Sequence, residues 1–181
     1  MPTSLLAALG GALVGVATLI SETHFGEIPN AFLDSIAVWL IASFVVGAAA
    51  RTRTHAITVG LIACLAEVAG YYVAAAARGV PGSPHEIAYW AACAFPGGLT
   101  FGLAGRFYRE GGGLKGVLGA IALPVAFAVE GLYTYAYVEH RDQAGAAWAL
   151  IALPLAYAFF VALPPFTTRN APRMNGWTRQ K

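Results

Sequence analysis

The sequence predicts an all-α membrane protein, a bundle of six transmembrane helices with both termini in the cytoplasm. Hydrophobic residues make up 58% of the 181 residues and charged residues only 11%, against roughly 25% charged in an ordinary soluble domain. Six apolar stretches are each close to the roughly 20 residues that a helix needs to cross a bilayer. The connections between them alternate in Lys and Arg content, which sets the orientation of the bundle.

The first apolar stretch, residues 4–21, is about as long as a signal peptide but lacks the flanking residues that are typical of one. No Lys or Arg precedes it and no Ala-x-Ala cleavage site follows it. We therefore expect it to be retained as helix 1. Its small residues form the patterns Ala8-x-x-x-Ala12 and Gly11-x-x-x-Gly15, which allow another helix to approach closely.

Helices 2, 4 and 6 are predicted at residues 32–50, 87–107 and 144–163, and each carries a tryptophan near its outer end. These residues are Trp39, Trp90 and Trp148. Tryptophan is typical of the membrane interface, so an aromatic belt is favoured over a ligand cage.

The middle of helix 4 contains Pro96 followed by two glycines, which predicts a kink or a break. Two interpretations remain open. A broken helix would expose backbone groups to a substrate, as in transporters. A kinked helix would use Gly98-x-x-x-Gly102 to pack against a neighbour.

Helices 3 and 5, at residues 56–77 and 114–138, each contain one acid, Glu67 and Glu130. A central charge costs roughly 2.5–3.5 kcal/mol in a membrane helix, so both acids are expected to face the bundle interior. Glu67 and Tyr71 share a seam of small residues that suits helix contact, which gives Glu67 a structural alternative. The face of Glu130 is more aromatic and hydroxylated, with Phe127, Tyr133 and Tyr137. We therefore expect Glu130, more than Glu67, to belong to the functional site.

The positive charges predict the topology. Nine of the eleven Lys and Arg residues fall on one side of the six-helix plan, and only Arg78 and Arg141 fall on the other. The richer side is cytoplasmic. Residues 1–166 then form the transmembrane domain, and residues 167–181 form a basic cytoplasmic tail that contacts anionic lipid. The predicted location is the inner, cytoplasmic membrane, crossed several times.

Composition also excludes several classes of partner. A net charge of +2 is too small to predict nucleic-acid binding. Cys64 and Cys93 lie in apolar runs and give neither a disulfide framework nor a zinc site. The glycines at 111–113 match no phosphate-binding or dinucleotide motif. We expect no cofactor and no metal.

Three segments carry a resemblance to a known family: Cys64 to Tyr72 (CLAEVAGYY), Trp90 to Cys93 with the glycines at 97, 98 and 102, and Glu130 to Tyr133 (EGLY). They resemble an uncharacterised family of small bacterial six-helix membrane proteins, a domain of unknown function, which implies a fold and no activity. The six-helix plan is more distantly similar to the S components of energy-coupling-factor vitamin transporters. That similarity implies a transmembrane coupling subunit bound to the small-residue face of helix 1.

Two functions of different classes follow. The first is binding or transport of a small solute through a cavity between helices 3, 4 and 5. Its candidate contacts are Glu130, Glu67, Tyr133, Tyr137, Tyr71, Phe127 and Trp90. The alternative is an intramembrane enzyme acting on a lipid or isoprenoid, in which a buried Glu protonates an alkene as in membrane terpene cyclases. A scaffold or accessory subunit is a third interpretation.

Overall fold

The computed structural model describes residues 3–24 and 35–137, and this part of the chain is all-α. It contains five helices: α1 Thr3–His24, α2 Ile36–Ala49, α3 Arg53–Ala77, α4 Pro84–Glu110 and α5 Gly113–Tyr137. They correspond to the first five predicted helices. The sixth predicted helix and the basic tail lie outside the described residues, so they stay predictions.

Four of the five helices are long and apolar enough to cross a membrane, as in an integral membrane protein. The apolar spans are Thr3–Ser21, Arg53–Ala77, Pro84–Glu110 and Gly113–Tyr133. The fifth helix, α2, has 14 residues and is about 21 Å long at 1.5 Å per residue. It is shorter than the roughly 30 Å hydrocarbon layer.

Local sequence signals fix the helix ends. The Thr52 side chain accepts a hydrogen bond from the backbone N–H of His55 at 3.2 Å and caps α3. Ser83 and Glu86 form a reciprocal capping box at the start of α4, with Pro84 in its first turn. Short connections at residues 50–52, 78–83 and 111–112 make successive helices antiparallel.

The α1–α3 contact depends on small residues. A methyl group on Gly11 would collide with the backbone of Ala63, and one on Gly15 with the backbone of Glu67. This close approach confirms that the Glu67 seam is a packing face. The Gly11 and Gly15 face of α1, which the resemblance to S components assigned to a coupling subunit, packs on α3 of the same chain.

Glycines also bring α2, α3 and α4 together. Gly47 and Gly60 both lie against the Gly102 backbone, and Gly98 lies against that of Gly60 and Leu61. The helix α4 continues from Pro84 to Glu110 through Pro96. The helix is therefore not broken at Pro96, and Gly98-x-x-x-Gly102 packs against α2 and α3, which is the second of the two interpretations that the sequence left open.

A charged network joins the ends of α2, α3 and α4 at one end of the bundle. Glu110 accepts hydrogen bonds from Arg53 Nη2 at 2.6 Å and from Arg106 Nε at 3.1 Å. Arg106 Nη1 also donates to the Ala50 carbonyl at 2.9 Å, which satisfies the C-terminus of α2. We call this the charged end.

Candidate functional site

A cavity of about 650 Å³ lies among α1, α2, α3 and α4, toward the end opposite the charged end. This volume falls in the range of roughly 300–1,000 Å³ that is usual for small-molecule sites. The wall combines aliphatic, aromatic and polar side chains from four helices and the α3–α4 connection. Its residues include Leu19, Ile36, Trp39, Leu40, Cys64, Glu67, Val68, Tyr71, Tyr72, Ala75, Arg78, Pro81, Glu86, Trp90, Cys93, Ala94 and Gly97.

Glu67 is the buried acid of this wall. Its relative exposure is 0%, and within the described residues neither carboxyl oxygen has a hydrogen-bond partner. Buried polar groups are almost always paired, and an unpaired one costs roughly 1–3 kcal/mol. Because no surface of Glu67 is accessible, a bound molecule reaches its carboxyl only when a neighbouring side chain moves.

Four aromatic rings form a continuous row along the cavity wall. The Trp90 and Trp39 ring centroids lie 6.4 Å apart, those of Trp39 and Tyr71 6.1 Å apart, and those of Tyr71 and Tyr72 5.2 Å apart. The row crosses from α4 through α2 to α3. Trp39 and Trp90 also line the cavity, where their rings lie against each other, and the interfacial belt stays a prediction. We call these four residues the aromatic row.

The two cysteines occupy different positions in the same wall. Cys64 is buried, and its sulfur lies 3.0 Å from the hydroxyl of Ser43, which also donates to the Gly60 carbonyl at 2.8 Å. Cys93 is exposed. Cys93 is therefore the thiol that a reagent entering the cavity can reach.

Two charged side chains of the cavity wall lie near the α3–α4 connection. Arg78 is the C-terminal cap residue of α3, and Glu86 lies in the first turn of α4. The Glu86 carboxylate accepts from the Ser83 backbone N–H at 2.9 Å, so it is already used in the capping box. The polar end of the cavity thus carries both signs of charge, and its interior carries the acid Glu67.

Glu130 has a different environment, at the N-terminus of α2. Its carboxylate accepts hydrogen bonds from the Ser35 hydroxyl at 2.6 Å and from the backbone N–H groups of Ile36 and Ala37, both at 2.8 Å. Ser35 makes no side-chain cap of its own helix. Glu130 on α5 therefore caps α2 from another helix, in a position that also favours negative charge. We call this arrangement the Glu130 clasp.

The predicted site residues separate into two groups. Glu67, Tyr71 and Trp90 line the cavity. The remaining residues belong to α5: Glu130 in the clasp, Phe127 partly buried, Tyr133 61% exposed, and Tyr137, whose side chain lies outside the described residues.

The position of the cavity corrects a further expectation. It lies between α1, α2, α3 and α4, and not between the third, fourth and fifth helices. The reason is packing: in the described part of the chain α5 contacts α4 and α2 but not α3. Among the described residues that line the cavity, none belongs to α5.

Several cavity residues were missed by sequence reasoning. Trp39, Leu40 and Tyr72 line the cavity without having been candidates, and so does Arg78. The shared position of Trp39 and Trp90 in their helices was the available signal. It indicated two rings at the same membrane depth, but not that α2 and α4 would bring the rings into contact.

Metal binding finds no support in the described residues. Across residues 3–24 and 35–137, no group of three or more His, Cys, Asp or Glu side chains is placed to hold a metal ion. Among the described residues, the cavity wall offers two acids, one arginine, two thiols and the aromatic row.

No curated protein and no solved structure matches this chain. One family does match, described as "Family of unknown function (DUF6518)", over residues 1–174. The match covers every helix in the described residues, and it confirms the expected membership of an uncharacterised family. The chain belongs to the DUF6518 family of unknown function.

Proposed function

We propose that this protein binds a small solute within the membrane, in the cavity between α1, α2, α3 and α4, and that Glu67 recognises the solute. The observation that carries this proposal is the Glu67 carboxyl, fully buried and without a partner among the described residues. A solute that donates hydrogen bonds to this carboxyl recovers the lost desolvation energy. In this proposal Glu67 takes the role that the sequence favoured for Glu130.

The direction of access follows from the charge pattern. The cavity extends to the α3–α4 connection, opposite the charged end of the bundle. With six helices and both termini cytoplasmic, the connection faces outside and the charged end faces the cytoplasm. We therefore propose a multi-pass protein of the cytoplasmic membrane that receives its solute from outside.

Transport by an S-component-like subunit would need a second surface for a coupling subunit. The Gly11 and Gly15 face of α1 is already packed on α3. The exposed face of α1, with Leu5, Leu9 and Leu13, is the surface that remains for such a partner or for lipid.

A second candidate function is supported by the aromatic row beside Glu67. In an intramembrane enzyme acting on an isoprenoid, the Glu67 carboxylic acid would protonate an alkene, and the ring faces would stabilise the resulting carbocation. The two functions differ in outcome. A binding or transport protein returns its solute unchanged, whereas the enzyme releases a rearranged product detectable by mass spectrometry.

Cys93 provides the test of cavity binding. The purified protein is alkylated with a maleimide, and the extent at Cys93 is read by peptide mass spectrometry during titration with a library of small solutes and isoprenoid alcohols. A matched control introduces Val117→Cys on the exposed face of α5, outside the cavity wall. The proposal predicts solutes that slow alkylation of Cys93 and leave that of the Val117→Cys thiol unchanged. Equal effects at both thiols, or none at Cys93, contradict it.

A further inference from the structure

We propose that the solute is an organic cation, an ammonium group joined to an apolar body. This inference rests on the proposed function and names the class of its solute. Three features of the cavity carry it: the unpaired acid of its interior, the arrangement of its rings and the composition of its remaining wall.

The acid of the interior is Glu67. Neither Glu67 oxygen is paired with a cationic side chain of the described residues. Among the described residues, the arginine of the cavity wall is Arg78. It lies eleven residues after Glu67 along α3, so the backbone positions of the two residues are about 16 Å apart. An anionic solute would lie beside an acid that no cationic side chain of the described residues pairs with. A cationic solute supplies the hydrogen-bond donors that the Glu67 carboxyl lacks, together with the counter-charge that an ionised carboxylate requires in an apolar interior.

The aromatic row favours a cation over a neutral hydroxylated solute. Tyr71 lies one helical turn after Glu67, on the same face of α3, and Trp39 of α2 contacts the Tyr71 ring at 6.1 Å. The faces of Trp and Tyr attract a cation that approaches within about 6 Å of the ring centre. A neutral alcohol gains no comparable attraction from the rings. Only a positive group is attracted both by the ring faces and by the Glu67 carboxyl.

The remaining wall determines what the ammonium group is attached to. Leu19, Leu40, Val68 and Ala94 line the same cavity. A volume of about 650 Å³ far exceeds that of a lone ammonium ion. Burying an apolar body against these side chains adds binding energy in proportion to the area covered. The preferred solute is therefore a hydrophobic amine.

Three probes with the same apolar body separate the possibilities: 3-phenylpropylamine, 3-phenylpropanol and 3-phenylpropionate at neutral pH. Each is titrated against alkylation of Cys93 in the full-length protein. The amine is expected to protect Cys93 at a concentration about tenfold or more below that of the alcohol, since a hydrogen bond to a charged group is stronger than a neutral one. The propionate is expected to protect least.

Glu67→Gln is the matched variant, and Glu110→Gln at the charged end is its control. Glu67→Gln should bring the amine and the alcohol to similar potency, whereas Glu110→Gln should keep their difference. If Glu67→Gln fails to fold, the ranking of the three probes on the natural protein decides the inference.

The outcomes distinguish this inference from the proposed function. Protection by the alcohol or the propionate equal to that by the amine overturns the cation assignment and leaves the cavity as a solute site. Persistence of the amine preference in a folded Glu67→Gln protein overturns the role of Glu67. Absence of protection by the amine overturns this inference, whereas the proposed solute site is overturned only when the solute library also fails to protect Cys93.

Discussion

At the scale of single residues, Glu67 and Glu130 differ in what their carboxyl groups contact. Glu130 accepts three hydrogen bonds from the start of α2, whereas Glu67 accepts none from the described residues. The sequence identified both acids, because a charge in an apolar run is visible without a structure. It could not predict the clasp, because Ser35 and Glu130 lie 95 positions apart and only the tertiary fold joins them.

We expect Glu130→Gln to destabilise the protein by about 1–2 kcal/mol, the usual cost of losing a helix cap or a charge-assisted hydrogen bond. The measurement is the free energy of unfolding in detergent. Val129→Ala, at an exposed neighbouring position of α5, is the control and should have a small effect.

A double-mutant cycle with Ser35→Ala assigns this loss to the clasp. The two substitutions should be non-additive because the side chains share a hydrogen bond. Additive effects, or an unfolding free energy unchanged by Glu130→Gln, would contradict the clasp.

Unlike Glu130→Gln, Glu67→Leu is not expected to lower the free energy of unfolding. Replacing a buried, unpaired carboxyl by an apolar side chain of similar size removes a desolvation cost, so the free energy of unfolding should be unchanged or rise by about 1 kcal/mol. Thermal unfolding in the same detergent checks it, with Glu130→Leu as the matched comparison. A loss of more than about 2 kcal/mol in the Glu67→Leu protein would mean that Glu67 has a structural partner.

At the scale of helices, packing depends on glycines. The sequence shows where these glycines are, but it does not show which helices they contact. The patterns at Gly11 and Gly15 and at Gly98 and Gly102 predict close helix contacts. The sequence left open whether α1 contacts another protein or its own bundle. The answer depends on the antiparallel connections and on the complementary seam at Ala63 and Gly70, which the structure places against α1.

Gly15→Ala tests the α1–α3 contact against a neighbouring control. The added methyl group would meet the backbone of Glu67 and Tyr71, so we expect a loss of about 1–3 kcal/mol, typical of overpacking. Gly10→Ala meets nothing within 4 Å and should be neutral or slightly stabilising, since alanine favours helix. Equal unfolding temperatures for the two variants would contradict this packing.

At the scale of the whole molecule, composition was enough to predict an all-α membrane protein, because long apolar stretches satisfy their backbone as helices in lipid. Composition does not predict how the helices are arranged. Helix order does not say which helices touch, and α5 packs on α4 and α2 without reaching α3. The cavity therefore forms among α1 to α4, one helix away from its predicted position.

The topology prediction concerns both the orientation and the sixth helix. Reporter fusions after Lys181 and within residues 79–82 should report cytoplasmic and external locations respectively, as the distribution of Lys and Arg requires. A reporter fused after Arg51 provides an internal control on the cytoplasmic side. An external signal from the fusion after Lys181 would refute an even number of crossings.

The central claim is that Glu67 recognises a solute, whereas Glu130 stabilises the fold. A paired binding experiment tests this claim most directly. Equilibrium binding of 3-phenylpropylamine is measured for the natural protein, Glu67→Gln and Glu130→Gln, at a temperature below the unfolding transition of all three. The account predicts that Glu67→Gln weakens binding about tenfold or more with little loss of stability, whereas Glu130→Gln lowers stability and keeps the affinity. Full affinity in Glu67→Gln together with lost affinity in a folded Glu130→Gln protein would contradict it.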